Sequence, residues 1–132
     1  MRTDAVARRY ARALFSLAKG EGSLDAVATA LGTATDAMIE PNVMRVLTGP
    51  VQKDRKRDLL TKIADTVNAP GAVRNFLQIL AEHDRLDHVE GIRSVFDALL
   101  DRERGITRAV IRSATDLSDD IRDEITRAFG AI

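Results

Sequence analysis

The chain contains no cysteine and no tryptophan. Without thiols there can be no disulfide, no thiolate nucleophile and no cysteine-based zinc site, and the composition fits a reducing compartment. Aromatic residues make up only 4% of the chain. Alanine and leucine must therefore fill the interior, which favours close helix packing over a β-sandwich. Net charge is absent too, since 20 basic residues balance 20 acidic ones. A nucleic-acid-binding chain is expected to carry a basic excess or a basic face. No apolar run approaches the ~20 residues that span a bilayer. Arg8, Arg9 and Arg12 fall where the apolar segment of a signal peptide would have to lie. The chain is expected in the cytoplasm or a similar space, reaching a membrane only through another protein.

What is present is helical periodicity. The length of 132 residues suits one domain with a short appendage. The first helix is expected from about Asp4 to Lys19, stopped by Gly20-Glu21-Gly22. Ser23 is placed to cap a second helix with Leu24, Val27, Ala28, Leu31 and Ala34 on one face and Met38 near its end. Pro41 suits the first position of a short third helix through Val43, Met44 and Leu47, ended by Gly49-Pro50. A fourth helix carries Leu59, Leu60, Ile63, Ala64 and Val67, and Asn68-Ala69-Pro70-Gly71 turns the chain. The fifth runs from about Ala72 to His83 on a stripe of Val73, Phe76, Leu77 and Leu80. After a bend at Arg85-Leu86-Asp87, the sixth spans about His88 to Arg104 through Val89, Ile92, Val95, Phe96, Leu99 and Leu100. The fold class is all-α, a six-helix bundle over residues 1–104.

The pattern changes at Gly105. Ile106 to Ala114 is short and rich in β-branched residues, and it reads as a strand. Ser118 follows as the cap of a helix with Asp119 and Asp120 at its start and Ile121, Ile125, Ala128 and Phe129 on one face. One strand and one helix do not make a domain. Residues 105–132 are expected to be the opening of a small C-terminal α/β region.

The first helix has apolar surface for more than one contact. On a wheel at about 100° per residue its apolar positions cover roughly 200° of arc, about twice a core-facing stripe. One edge carries Val6, Tyr10, Ala13 and Leu17, and the other Ala7, Ala11, Leu14, Phe15 and Ala18. On the fifth helix, Ala72 and Ile79 stand beside the core stripe. Two readings remain open on periodicity alone. These residues either broaden the core contact, or they line a hydrophobic groove of the kind that receives an amphipathic helix. The Tyr10 hydroxyl favours a wet boundary.

Catalytic chemistry is hard to assemble. His83 and His88 have no clustered carboxylates and read as ordinary surface histidines, so no metal site is assigned. There is no glycine-rich phosphate loop and no nucleophile elbow, and no catalytic residue or cofactor is implied. The run Lys53, Arg55, Lys56, Arg57 is interrupted by Asp54 and Asp58 and reads as a solvated helix face.

Three stretches together resemble a known family. Val6-Ala7-Arg8-Arg9-Tyr10-Ala11-Arg12-Ala13-Leu14-Phe15 is similar to the opening of the delta subunit of bacterial ATP synthase, related to the mitochondrial oligomycin-sensitivity-conferral protein. Asn75-Phe76-Leu77 through Arg85-Leu86 resembles that family's Asn-Phe-Leu segment. Ser113-Ala114-Thr115-Asp116-Leu117-Ser118 resembles the step that opens its C-terminal region. The resemblance implies a non-catalytic connector in a proton-translocating ATP synthase. It would be held peripherally at the cytoplasmic face of the plasma membrane through the complex. In the family, a groove between the first and fifth helices takes the amphipathic N-terminal helix of an alpha subunit. Carried onto this chain, the matched positions are Tyr10, Ala13 and Ile79. The helical wheels add Val6, Leu17 and Ala72. Family members continue through a glycine-rich segment and an Asp-Gly-Ser stretch into a terminal helix, and engage the b subunit of the peripheral stalk there. Neither motif follows Phe129, so the chain is expected to be truncated before the end of its C-terminal domain. The alternatives are a helical adaptor for another amphipathic helix and a small DNA-binding helical domain using Lys53 to Arg57.

Overall fold

The computed structural model describes residues 5–114. Within them the order is α1 (Ala5–Glu21), α2 (Leu24–Met38), α3 (Pro41–Thr48), α4 (Lys53–Thr66), α5 (Gly71–Glu82), a single 3-10 turn (Leu86–His88) and α6 (Val89–Ala114). The expected six-helix bundle is what forms. The chain divides into two units, one ending at Asp97 and one beginning at Ala98, and α6 runs through the division.

In the first unit α2 is the central element, touching α1, α3, α4 and α5. Its composition allows this. Val27, Ala30, Leu31, Gly32, Ala34, Thr35 and Met38 are buried, and most are small enough for several neighbours to approach. The buried Thr35 hydroxyl donates to the Leu31 carbonyl at 2.6 Å, so it leaves no unsatisfied donor. Arg93 of α6 lies over Gly32, where an added Cβ would sit 3.2 Å from the guanidinium. The same guanidinium donates to Asp36 at 2.6 Å and faces Asp97 at 3.7 Å. Phe96 is fully buried and meets Phe15 edge-on, with centroids 5.6 Å apart. The α4–α5 hairpin is tied by Arg74, which donates to the Ala69 carbonyl at 2.8 Å and to Asp65 at 2.5 Å.

Three helices end in the same way. Gly22, Asn68 and Asp84 have φ of 68°, 55° and 54°. Each of these N–H groups bonds a carbonyl three residues back, and the next N–H reaches five back: Ser23 to Ala18 at 2.9 Å, Ala69 to Ala64 at 2.9 Å, Arg85 to Leu80 at 2.8 Å. These are Schellman closures, which satisfy the last carbonyls of α1, α4 and α5. The closure of α1 also changes the role of Ser23. It occupies the N-cap position of α2, but its hydroxyl turns back to the Ala18 carbonyl at 3.4 Å and does not cap α2. At α3 the expectation holds, with Pro41 in the first turn and the Glu40 carboxylate accepting from the Val43 N–H at 3.1 Å.

The strand expected at Ile106 to Ala114 is not there. α6 continues through Gly105 to Ala114 as one helix. Extending an existing helix needs no new nucleus, whereas a strand needs a ladder partner. Arg102, Glu103, Arg104, Arg108 and Ala109 favour helix, and the penalties at Gly105 and the β-branched positions stay below ~1 kcal/mol each. Thr107 donates to the Glu103 carbonyl at 3.1 Å, as a threonine inside a helix does. The expected helix after Ser118 lies outside the described residues, as does Asp4.

Gly20 and Gly22 give opposite predictions. Neither has an atom within 4 Å of an added Cβ, so only the backbone decides. Gly20→Ala replaces glycine inside a helix and is expected to stabilise by ~0.5–1 kcal/mol. Gly22→Ala forces a Cβ into the left-handed region and is expected to destabilise by about 1–2 kcal/mol. Urea unfolding midpoints check both.

Candidate functional site

α1 separates its two apolar edges. Ala7, Ala11, Leu14 and Ala18 are buried, and Phe15 packs partly buried against the core. On the other edge Val6 and Tyr10 are half-buried, Ala13 is exposed, and Leu17 is 48% exposed. α5 does the same. Val73, Phe76, Leu77 and Leu80 are buried, Ala72 is half-buried, and Ile79 is 44% exposed. A leucine and an isoleucine left half in water on two touching helices are the feature to explain.

Between α1 and α5 lies an open groove of about 180 Å³, lined by Ala13, Leu14, Leu17, Ala72, Asn75, Phe76 and Ile79. Its shape follows from spacing. Ala72, Asn75, Phe76 and Ile79 stand at i, i+3, i+4 and i+7 along α5, and Ala13, Leu14 and Leu17 form the matching row on α1. The small Ala13 and Ala72 hollow the groove, and Leu14 and Phe76 give it a buried floor. Its volume is below the ~300–1,000 Å³ of small-molecule pockets. An open, shallow, apolar trough of this kind suits side chains projecting from another helix.

Of the six residues expected at the site, Ala13, Leu17, Ala72 and Ile79 line the groove together. Tyr10 is not in the lining. Its ring stands edge-on to Phe76 at 6.3 Å, so it buttresses the floor, and the Arg9 guanidinium lies 5.6 Å from its centroid on the solvent side. Val6 is half-buried away from the lining. Sequence reasoning missed Leu14, Phe76 and Asn75. The first two read as core residues from periodicity, and they are core residues whose surfaces also form the floor. Asn75 could have been found from its place three before Gln78 and four before Ile79, on the row that also holds Ala72.

Other cavities differ in character. One of about 190 Å³ is lined by Thr48, Lys56, Asp84 and Asp87 among apolar neighbours. Another of about 230 Å³ is formed around Thr35, Ile39, Glu90, Arg93, Ser94 and Asp97. His88 departs from the surface position expected of it. It is buried in the 3-10 turn with its Nε2 3.8 Å from Asp87, while His83 is exposed. Burial follows from the short turn, which presses Leu86 and His88 together against the interior. Among the described residues no group of three or more His, Asp or Glu converges to hold a metal. None of the described helices is long and apolar enough to cross a membrane.

Comparison with known proteins agrees with the resemblance carried by the Tyr10-Ala11 and Asn75-Phe76-Leu77 stretches. A family model described as the ATP synthase delta (OSCP) subunit matches residues 6–132. The chain is similar to ATP synthase subunit delta of Nitratidesulfovibrio vulgaris (strain DP4), 36% identical over 132 residues that cover 95% of this chain and 70% of that protein. It is 38% identical to ATP synthase subunit delta of Bordetella petrii over 126 residues, covering 94% of this chain and 70% of the relative. It is 32% identical to that of Lactiplantibacillus plantarum over 126 residues, covering 94% and 68%. With a family match that begins at Val6 and takes in every described residue but Ala5, the chain belongs to the ATP synthase delta (OSCP) subunit family.

Proposed function

We propose that the chain acts as a non-catalytic connector in an ATP synthase, with the α1–α5 groove receiving the amphipathic N-terminal helix of an alpha subunit. Family membership supports a role as one subunit among others of that complex. The observation that carries the finer reading is the pairing of exposed Leu17 and Ile79 across a trough hollowed by Ala13 and Ala72. A helix seated there would cover both. Burying apolar surface contributes about 25 cal/mol per Å² before the entropy of association is subtracted, so a partner supplying its own apolar stripe would bind without any ion pair. Ala13 gives a partner backbone room to approach. Tyr10, edge-on to Phe76, would support the floor from its side. Val6 would extend the apolar edge toward the start of α1.

The same proposal assigns the link to the b subunit of the peripheral stalk to the region C-terminal to the bundle. Membrane attachment is then indirect, at the cytoplasmic face, through protein contacts alone. A different amphipathic helix could use the same trough, and a synthetic alpha-subunit N-terminal peptide distinguishes the two.

Ala13→Asp is expected to weaken peptide binding by a hundredfold or more, since a carboxylate covered by an apolar partner costs several kcal/mol unless it finds a pair. Titration calorimetry checks the affinity. In the free chain Ala13 is exposed, so the same substitution should lower stability by under ~1 kcal/mol, the helix-propensity difference. Phe96→Ala is the control for core damage and is expected to lose about 3–5 kcal/mol of stability. Phe76→Ala is unsuitable for that purpose, because Phe76 belongs to both core and groove. A bundle unfolded by Ala13→Asp, or unchanged peptide affinity, would remove the groove from the account.

A further inference from the structure

Asn75 is the polar exception in an apolar trough. The other six lining residues, three from α1 and three from α5, are all apolar. Asn75 stands in the middle of the α5 row, between Ala72 and Ile79. Its side chain is exposed and makes no hydrogen bond to any described residue. A carboxamide offers two donors and an acceptor with two lone pairs. While the groove is open, water meets them. A helix laid along the groove removes that water. An amide left unpaired beneath it weakens binding, whereas an amide paired with the partner recovers the loss.

A surface selected only for apolar contact would be served better by leucine or alanine at this position. Either would also favour the helix more than asparagine does. A single polar residue in an apolar helix seam has one well-attested effect. It lowers affinity somewhat and fixes register, because only one alignment supplies its hydrogen bonds. We propose that Asn75 sets the register and direction of the bound helix. The occupant is an amphipathic helix whose apolar stripe carries one hydrogen-bonding side chain placed to meet the Asn75 amide. This rests on the reading of the groove as a helix receptor.

The test is a set of double-mutant cycles. Asn75→Ala is combined with alpha-subunit N-terminal peptides in which each polar residue is replaced in turn by alanine. Asn75 lies on an exposed helix surface and alanine is the better helix former, so the fold should survive. One peptide position, and one only, is expected to couple to Asn75, by roughly three- to tenfold in Kd. A second readout follows register directly. A nitroxide on the peptide N-terminus should broaden the Ala72 and Ile79 methyl signals unequally, as these residues are about 10 Å apart along α5. In Asn75→Leu, with the constraint gone, the two should broaden nearly equally while the peptide still binds. Binding of the parent chain with no coupling at any position would overturn the role of Asn75 and leave the groove reading intact, as would an unchanged broadening ratio in Asn75→Leu. A parent chain that does not bind the peptide at all would overturn both.

Discussion

The packing of α1 through alanine is the constraint on which the rest depends. Ala7, Ala11 and Ala18 are fully buried, with Leu14 beside them, and this face seats α1 against α2 and α5. Methyl-sized side chains let helices approach closely, and each contact is small, so the face must be continuous to hold. Once that face is turned inward, the helix has no freedom to bury Ala13 and Leu17 as well. They lie roughly a quarter turn or more away on a helix with 3.6 residues per turn. The exposed edge is therefore a direct consequence of the buried one. α5 meets the same limit with Phe76 and Leu80 inside and Ile79 outside. Two helices that each hold back an apolar edge, placed side by side, make a trough.

The remaining elements keep that pair rigid. α2 sits behind it, threaded through with small buried residues, and Arg93 secures the first half of α6 over Gly32 by pairing with Asp36. That pair is one-third exposed on the arginine and more on the aspartate, so it contributes orientation more than stability. The Schellman closures at Gly22, Asn68 and Asp84 keep the connections short and set where each following helix begins. A groove whose walls belong to two helices depends on such fixed ends. A slip of either helix by one residue rotates its row by about 100° and turns Leu17 or Ile79 out of the trough.

Much of this was legible in the residues. The spacing of Ala7, Ala11, Leu14 and Ala18 against Val6, Tyr10, Ala13 and Leu17 separated the edges of α1, and burial follows that division. The Gly20–Gly22 and Asn68–Gly71 breaks marked the ends of α1 and α4 to within a few residues. Other features were not legible, and three of them show why. Asn75 was hidden by its polarity, because a search for apolar stripes passes over the residue that interrupts one. Periodicity puts Tyr10 on the same edge as Ala13 and Leu17, while its ring stands against Phe76, a difference of contact that periodicity does not encode. The segment after Gly105 misled because β-branched residues and a glycine carry a local strand signal. Continuity with a helix already formed outweighed it, as local propensity differences of well under 1 kcal/mol per residue usually yield to context.

Intermolecular NOEs between the methyl groups of this chain and an alpha-subunit N-terminal peptide decide where the partner sits. With the chain methyl-labelled and the peptide unlabelled, contacts are expected to Ala13, Leu17, Ala72 and Ile79. None is expected to Leu31 or Ile92, which are at most 1% exposed in the core. Contacts confined to Ile39, Val46, Ile106 or Val110, the other exposed large hydrophobic residues among those described, would contradict the account by placing the partner elsewhere.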